Sequence, residues 1–312
     1  MPSELATRIA AGDPRATARG ISLVEDDPEA GAGLIRELFG RSGGALFVGI
    51  TGAPGAGKST LVDGLVTRWR KAGKTVGVIA VDPTSPYSGG AMLGDRVRMQ
   101  AHARDTDVFI RSMATRGHLG GLARATSDAA MVLDAAGKNL VIIETVGVGQ
   151  DEVDIIRTAD VSALVLVPGM GDEVQALKAG IMEIADIFVV NKADREGAER
   201  TVAEIESLLS LGTFKEQEWK PPIVRTIATT GTGLDELVEI IECFRDHSDS
   251  VLVSRRRNRA AAQLRAVLAE RVMKQVESRL AVFEMEQVID RIVARQTDPY
   301  TAADEILARG NK

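Results

Sequence analysis

The sequence has little cysteine, histidine or aromatic content, and the first two scarcities each exclude a class of site. Among 312 residues the one cysteine is Cys243, so an internal disulfide framework cannot form within the chain, nor can a cysteine-based zinc or iron–sulfur site. The three histidines (His102, His118 and His247) show no metal-ligand spacing. The residue types therefore speak against a transition-metal centre and against a disulfide-stapled scaffold.

A basic excess and a long apolar run are also missing. Lys and Arg number 38 against 44 Asp and Glu, a net charge of −6, so the chain lacks the positive surface that would hold nucleic acid or an anionic membrane. No apolar run approaches about 18 residues, which argues against a membrane-spanning helix. Glu4 and Arg8 interrupt the N-terminus too early for a signal-peptide core. We therefore expect a cytoplasmic protein without nucleic-acid or membrane partners.

Glycine, by contrast, is abundant and unevenly placed. Thirty of the 31 glycines precede residue 234, and only Gly310 follows. The first 40 residues read as short helices broken at residues 12–14 and 27–28, and residues 254–295 form a long, nearly glycine-free helical pattern. The length alone favours about two domains.

Between residues 45 and 228, short apolar runs alternate with helical stretches. Six strands are predicted at 45–50, 75–81, 140–145, 163–168, 186–190 and 223–228, with helices at 60–72, 173–185 and 195–211. Uniformly apolar strands alternating with helices indicate a doubly wound, mostly parallel α/β sheet. The insertion from 82 to 139 exceeds one crossover and holds a candidate further strand at 108–111, a length typical of functional loops.

A complete phosphate-loop motif follows the first predicted strand. It consists of Gly52, Ala53, Pro54, Gly55, Ala56, Gly57, Lys58 and Ser59, followed by Thr60. Its glycines allow backbone N–H groups to surround phosphate oxygens, its lysine can reach the β- and γ-phosphates, and its serine can ligate Mg²⁺. A ligand-free glycine-rich turn is the alternative, which the full match between a strand and a helix disfavours.

A second motif indicates which base accompanies the phosphates. Asn191, Lys192 and Asp194 form an N-K-x-D pattern after a predicted strand. A carboxylate accepts hydrogen bonds only, which suits the N1–H and N2 amino donors of guanine and not adenine. One strand–helix unit later, the backbone of Ile227, Ala228 and Thr229 could contact the guanine O6. Taken alone, Asn191 and Asp194 could simply be helix-capping residues. Followed by the segment at 227–229, the N-K-x-D pattern predicts GTP.

Acidic residues after two further strands predict the remaining magnesium ligands. Asp82 and Glu144 each end a predicted strand, and the carboxyl edge of a parallel sheet faces the ligand. In place of the D-x-x-G motif of small GTPases, the chain has E-x-x-G from Glu144 to Gly147. We expect Gly147 to lie near the phosphates. Asp95 could reach the metal from the insertion. For each acid the alternative is a helix cap or a surface charge. We expect Lys58, Asp82 and Glu144 to carry the catalysis.

Two questions remain open from the residues alone. Gln150 could orient the attacking water or simply begin a helix. The candidates for stabilising transition-state charge are arginines of the insertion, namely Arg96, Arg98, Arg111 and Arg116, and the sequence does not choose among them.

Eight stretches, three of which contain the motifs above, run almost continuously through the centre of the chain. They are residues 50–60, 81–86, 88–96, 110–113, 115–117, 144–150, 171–183 and 186–194. In them the chain resembles the ArgK/MeaB family of P-loop GTPases, the methylmalonyl-CoA mutase-associated chaperones. Thr84 and Asn139 depart from the usual family residues, and neither is expected to touch the nucleotide.

The resemblance implies a slow GTPase that binds an adenosylcobalamin-dependent acyl-CoA mutase, gates its cofactor loading and protects it from inactivation. It implies that Asp82, Asp95 and Glu144 bind Mg²⁺. It also implies a homodimer joined through the C-terminal arm, consistent with an apolar stripe from Leu264 to Phe283. The partner-responsive switch of the family falls on residues 168–178, including Asp172, Glu173, Gln175 and Lys178.

Three domains and three functional classes follow. We expect an N-terminal helical extension (1–41), a GTP-binding domain (42–247) and a C-terminal helical dimerisation arm (248–312). Besides the mutase chaperone, a nucleotide-dependent kinase linked to amino-acid transport is the alternative, although no acceptor site is marked. A metal-insertion GTPase of the hydrogenase or urease type is disfavoured, because the chain lacks a His- or Cys-rich metal store.

Overall fold

Seven strands and ten α-helices make up the part of the chain that the structure describes. The computed structural model describes residues 2–82, 102, 104–114, 121–145, 158–169, 185–210, 219–247, 249–279 and 282–310. The strands are β1 (Leu46–Gly52), β2 (Val76–Asp82), β3 (Val108–Ala114), β4 (Leu140–Thr145), β5 (Val161–Leu166), β6 (Ile187–Asn191) and β7 (Ile223–Thr226). The helices are α1 (Glu4–Ala10), α2 (Pro14–Asp26), α3 (Pro28–Leu38), α4 (Lys58–Lys71), α5 (Gly121–Ala135), α6 (Ala198–Ser210), α7 (Leu234–His247), α8 (Asp249–Arg279), α9 (Val282–Val293) and α10 (Pro299–Gly310).

The strands form one sheet in the order β3-β2-β4-β1-β5-β6-β7, and every neighbouring pair is parallel. Strands β1, β4, β5 and β6 are buried along their whole length, which explains their uniformly apolar sequences. The predicted doubly wound α/β sheet is therefore confirmed. The candidate strand at 108–111 is also confirmed, and it extends to Ala114 as the edge strand β3.

Of the six predicted ranges only 140–145 is observed with the same bounds, the other five being displaced by one or two residues at one or both ends. For two of these strands the cause is identifiable. Strand β5 begins at Val161 rather than 163, because Asp160 binds Phe47 through both its backbone N–H and its carboxylate and so starts the pairing earlier. Strand β7 ends at Thr226, because Ile227 turns back to pair with Thr232. The helix predicted at 173–185 lies outside the described residues, apart from its last position.

Helices cover both faces of the sheet. On one face Trp69 of α4 and Phe244 of α7 pack on apolar side chains of β1, β4 and β5. On the other face α5 and the N-terminal helices cover the half built from β2, β3 and β4, while α6 covers β5 and β6. The central strands therefore alternate their side chains between two buried layers.

The N-terminal extension forms three helices because its breaks carry strong start signals. Asp13 and Asp27 each accept hydrogen bonds from the first-turn N–H groups of the following helix, and Pro14 and Pro28 occupy the first helical positions. Buried Ile9, Ile21 and Leu38 join the same core as α5. The predicted helical extension thus packs on the sheet domain.

The described residues divide into two compact units, residues 1–256 and 257–312. Within the second unit α9 and α10 pack together, and Arg291 binds Glu305 at 3.1 Å. On α8 the predicted stripe positions Leu264, Leu268 and Val272 are 59%, 52% and 49% exposed. Among the described residues no helix is long and apolar enough to cross a bilayer.

Asp134 fixes the backbone that leads into the central strand β1, and its replacement tests the fold. Its buried carboxylate, on α5, accepts hydrogen bonds from the N–H groups of Gly43, Gly44 and Ala45, just before β1. Asp134→Ala removes these acceptors, and we expect the free energy of unfolding in urea to fall by about 2 kcal/mol. Glu239→Ala, at an exposed position of α7, should change it by less than about 0.5 kcal/mol. Equal effects of the two substitutions would contradict this role of Asp134.

Candidate functional site

The phosphate-loop motif lies at the carboxyl edge of the sheet, between β1 and α4. Strand β1 is flanked by β4 on one side and β5 on the other, so the chain leaves it where the strand order reverses. Crevices at such switch points are the usual ligand sites of doubly wound sheets, and the N-terminus of α4 adds its partial positive charge there.

Two glycines of the motif are required by close contacts. Gly52 has φ +143°, and a Cβ there would lie 2.1 Å from the carbonyl oxygen of Val165 on β5. Gly57 has φ +89°, and a Cβ would lie 2.5 Å from Nδ2 of Asn191. Any larger residue would push the loop away from the strands that hold it.

The two polar residues that open α4 are both buried. Lys58 is only 6% exposed, and its Nζ donates to the carbonyl oxygens of Gly52 and Ala53, the latter at 2.9 Å. Ser59 points toward β4, whereas Thr60 is exposed. An ammonium group thus lies within the loop itself, where phosphate oxygens would be met.

Glu144 provides a buried carboxylate next to the loop. It is 3% exposed, and its Oε1 accepts a hydrogen bond of 2.7 Å from the Ser59 hydroxyl. Behind it, the Thr145 hydroxyl donates to that of Thr51 at 2.9 Å and joins the ends of β4 and β1. Asp82 ends the neighbouring strand β2, two residues beyond the position level with Glu144, and its side chain is outside the described residues. The structure therefore brings together Ser59 and Glu144, with Asp82 on the adjacent strand.

Asn191 connects the phosphate loop to a second loop. Its buried amide donates from Nδ2 to the carbonyl oxygen of Ala56 at 2.8 Å. Its Oδ1 accepts hydrogen bonds from the Thr226 hydroxyl and from the Ala228 N–H, both at 3.1 Å. Lys192, held at φ +57°, donates to the carbonyl oxygen of Gly55 at 2.7 Å. Asn191 and Lys192, the first two residues of the N-K-x-D motif, thus bind protein atoms and fix the relative positions of the loops.

We call residues 227–233 the base turn, since they follow β7 beside the N-K-x-D motif. Ile227 donates from its N–H to Thr232 and accepts from Thr230 and Gly231, which closes the turn. Within the described part of the chain the Thr229 N–H donates to no protein acceptor, and Thr229 is exposed. Asp194 is exposed in the turn after β6. The turn therefore presents an available backbone donor, and Asp194 an available carboxylate, at the same edge of the sheet.

Several predicted site residues fall outside the described residues. They are Asp95, Gly147, Asp172, Glu173, Gln175 and Lys178, together with Gln150, Arg96, Arg98 and Arg116. Of the arginine candidates, the structure places Arg111 in the middle of β3, where its guanidinium binds Glu25 and Ser22 of α2. Arg111 therefore anchors the N-terminal extension and is removed from the candidates for transition-state stabilisation.

One residue that the sequence analysis did not single out is Arg68. It extends from α4 to the base turn, binding the Gly231 carbonyl oxygen and Asp235. Its hydrogen bonds, and to a lesser extent its charge, hold the pKa of the exposed Asp235 carboxyl below its usual value. No local spacing marks such a residue, because its partners lie more than 160 positions along the chain.

Comparison with known proteins gives a consistent result. A family model described as methylmalonyl-CoA mutase-associated GTPase MeaB matches residues 17–281. A protein of Pyrococcus abyssi named as a GTPase is 52% identical over 98% of this chain and 96% of its own length. GTPase ArgK of Escherichia coli is 37% identical over 78% of this chain and 76% of its own. The crystal structure of a LAO/AO transport system kinase covers 99% of this chain and 97% of its own, with a TM-score of 0.74 and 26% identity.

The contacts of Asn191 predict a structural cost even without ligand. Asn191→Ala leaves the buried Ala56 carbonyl and Thr226 hydroxyl without these hydrogen bonds, so we expect the free energy of unfolding in urea to fall by about 2–4 kcal/mol. Asn258→Ala, at an exposed position of α8, is the matched control and should be nearly neutral. A ligand-free Asn191→Ala protein as stable as the control would show that the amide does not join the loops.

Proposed function

The chain belongs to the family of methylmalonyl-CoA mutase-associated GTPases, and we propose that it binds GTP at the edge of the sheet formed by β1, β4 and β6 and hydrolyses it to GDP and phosphate. We further propose that it is a chaperone of an adenosylcobalamin-dependent acyl-CoA mutase. The observation that carries the nucleotide assignment is the buried Asn191 amide, which holds a phosphate loop and a base turn in one fixed arrangement.

Recognition of guanine would be shared between a side chain and a backbone turn. The exposed Asp194 carboxylate offers acceptors for N1–H and the N2 amino group. The base turn offers backbone donors for O6, among them the Thr229 N–H, which donates to no protein acceptor in the described part of the chain. Asn191 and Lys192 would act by positioning, since their polar atoms already bind the loops. Adenine would leave the Asp194 carboxylate unpaired, which gives the preference for GTP.

Hydrolysis would rest on positioning and on stabilisation of charge. The backbone of residues 52–60, with Gly147, would surround the phosphates, and the buried Lys58 ammonium would exchange its loop carbonyls for phosphate oxygens. Because Lys58 is shielded from water, its charge would act strongly on the oxygens that gain charge as the γ-phosphate departs.

The residues present fit a magnesium ion. The Ser59 hydroxyl and the Glu144 carboxylate lie 2.7 Å apart and offer only oxygen, which is the donor that Mg²⁺ prefers. Among the described residues no group of three His, Cys, Asp or Glu side chains forms a cage, so the nucleotide phosphates and water would complete the shell. Ser59, Glu144, Asp82 and Asp95 would hold the ion. When bound, it would neutralise phosphate charge during the reaction.

The mutase role rests on the family and on two features of this chain. Residues 168–178, with Asp172, Glu173, Gln175 and Lys178, lie in the connection from β5, which borders β1, to β6, which carries Asn191. Strand β5, which leads into this segment, pairs with β1, which leads into the phosphate loop, and we propose the segment as the partner-responsive switch on that ground. The exposed Leu264, Leu268 and Val272 would pair with a second copy and make residues 248–312 a dimerisation arm.

Removal of the Lys58 ammonium tests the hydrolytic step. We expect Lys58→Ala to slow phosphate release from GTP by about 100-fold or more, because a preorganised charge at the γ-phosphate is lost. Lys71→Ala, which removes an exposed lysine at the other end of α4, should leave the rate unchanged. Wild-type protein should hydrolyse GTP far faster than ATP. Normal hydrolysis by Lys58→Ala would refute the catalytic assignment, and phosphate transfer to an acceptor in place of release would favour a kinase.

The mutase proposal predicts a partner-dependent rate. GTP hydrolysis should accelerate when an adenosylcobalamin-dependent methylmalonyl-CoA mutase is added, and a non-hydrolysable GTP analogue should change the amount of mutase retained in a pull-down. Lys178→Ala should retain hydrolysis alone and lose the acceleration, whereas Lys74→Ala, at an exposed lysine after α4, should retain both. No acceleration of the wild type would refute the mutase role, and acceleration of Lys178→Ala would refute the switch assignment.

A further inference from the structure

Arg68 connects the helix that follows the phosphate loop to the base turn. It lies on α4, ten residues after Lys58. Its Nη2 donates to the carbonyl oxygen of Gly231 at 2.8 Å, and its Nε and Nη2 donate to the two carboxylate oxygens of Asp235 at 2.7 and 3.1 Å. One guanidinium therefore binds both the end of the base turn and the first turn of α7.

The geometry of these contacts requires an arginine. The planar fork of donors meets both oxygens of Asp235 while one nitrogen also reaches a carbonyl, an arrangement that a lysine ammonium cannot reproduce. Gly231 has φ +83°, and a Cβ there would lie 3.0 Å from the Arg68 Nη2. The Arg68 side chain is 20% exposed and its hydrogen bond to Gly231 is partly buried, whereas the Asp235 side chain is 79% exposed.

The helices themselves approach closely beside this contact. A Cβ at Gly64 of α4 would lie 2.4 Å from Cδ1 of Leu234, the first residue of α7. Since α4 and α7 are packed this tightly, the Arg68 bridge is short and transmits the position of α4 to the turn. The base turn is then fixed at two points, by Asn191 at Ala228 and by Arg68 at Gly231.

We propose that Arg68 is a positioning residue for guanine recognition, and that it places the base turn where its backbone can bind the O6 of the base while the start of α4 binds the phosphates. The proposal rests on the proposed GTP site and adds a determinant of its specificity. Asp194 follows β6 and is positioned through Asn191 and Lys192, which Arg68 does not contact. Loss of Arg68 should therefore weaken recognition of O6 and leave recognition of the N2 amino group intact.

Three nucleotides distinguish recognition of O6 from recognition of the N2 amino group. GDP carries O6 and the N2 amino group, 6-thio-GDP replaces O6 with a weak sulfur acceptor, and IDP lacks the N2 amino group. Dissociation constants should be measured calorimetrically for wild type, Arg68→Met, Asp235→Asn and Arg70→Met. Arg70 is the matched control, because it lies on the same helix and binds two carboxylates, those of Asp105 and Asp107, away from the base turn.

In Arg68→Met we expect the dissociation constant for GDP to rise about tenfold, the loss expected when a fixed hydrogen-bonding loop is released. The preference for GDP over 6-thio-GDP should fall by a similar factor, while the preference for GDP over IDP should stay within about twofold of wild type. Asp235→Asn, which keeps the Gly231 contact, should show the same selectivity change at a smaller size. Arg70→Met should match wild type for all three nucleotides.

The outcomes distinguish this inference from the function on which it rests. Wild-type protein that does not prefer GDP to IDP would refute the guanine site itself. With that preference present, an equal loss for all three nucleotides in Arg68→Met, or no loss, would refute the positioning role. If Arg68→Met does not fold, as judged by thermal unfolding, Asp235→Asn decides: an unchanged preference over 6-thio-GDP would overturn the proposal.

Discussion

The site depends on a single buried amide. Asn191 donates to the phosphate loop and accepts from Thr226 and from the base turn, so loops that are about 135 and 37 residues away in sequence share one anchor. A buried amide is costly unless its donors and acceptors are paired, and here the pairing requires all three segments to be in place. The amide therefore holds the phosphate loop and the base turn in one arrangement, and such preorganisation lowers the ordering cost of binding a ligand across them.

The sheet makes that anchor possible, because its order brings β1 and β6 to either side of β5 with their carboxyl ends at the same edge. At the opposite edge, charge pairing fixes the starts of β5 and β6. Arg255, at the start of α8, binds both carboxylate oxygens of Asp186 at 2.5 and 2.6 Å, and Asp186 also accepts hydrogen bonds from the N–H and hydroxyl of Ser162. These contacts anchor the start of α8 to β5 and β6 at the edge away from the phosphate loop.

Local signals were sufficient for most of the fold. The strand predicted at 140–145 is observed with the same bounds, since its apolar run stops where Glu144 and Thr145 face the site. The start of β5 and the end of β7 differ from their predicted positions because Asp160 pairs with Phe47 and Ile227 pairs with Thr232. These pairings are not evident from the sequence of either strand. The same limit applies to the site. The phosphate loop and the N-K-x-D motif were predictable because each is contiguous in sequence. The roles of three other residues could not be predicted, because their hydrogen-bond partners are far along the chain: Arg68, Asp134 and Arg111.

The sequence by itself determined the parallel sheet and the phosphate-loop motif, and it predicted guanine as the base. The apolar pattern of a strand, the spacing of glycines and a carboxylate in a short motif are each properties of a local segment. Only the tertiary structure decided that Asn191 and Lys192 bind loops rather than stand free, that Arg111 belongs to the N-terminal extension, and that Arg68 spans from α4 to the base turn. These assignments are made by hydrogen bonds between segments that meet only when the strands are stacked in their final order. A side chain such as that of Asn191 could bind either a ligand or the protein. The neighbour that folding places beside it decides which of the two it binds.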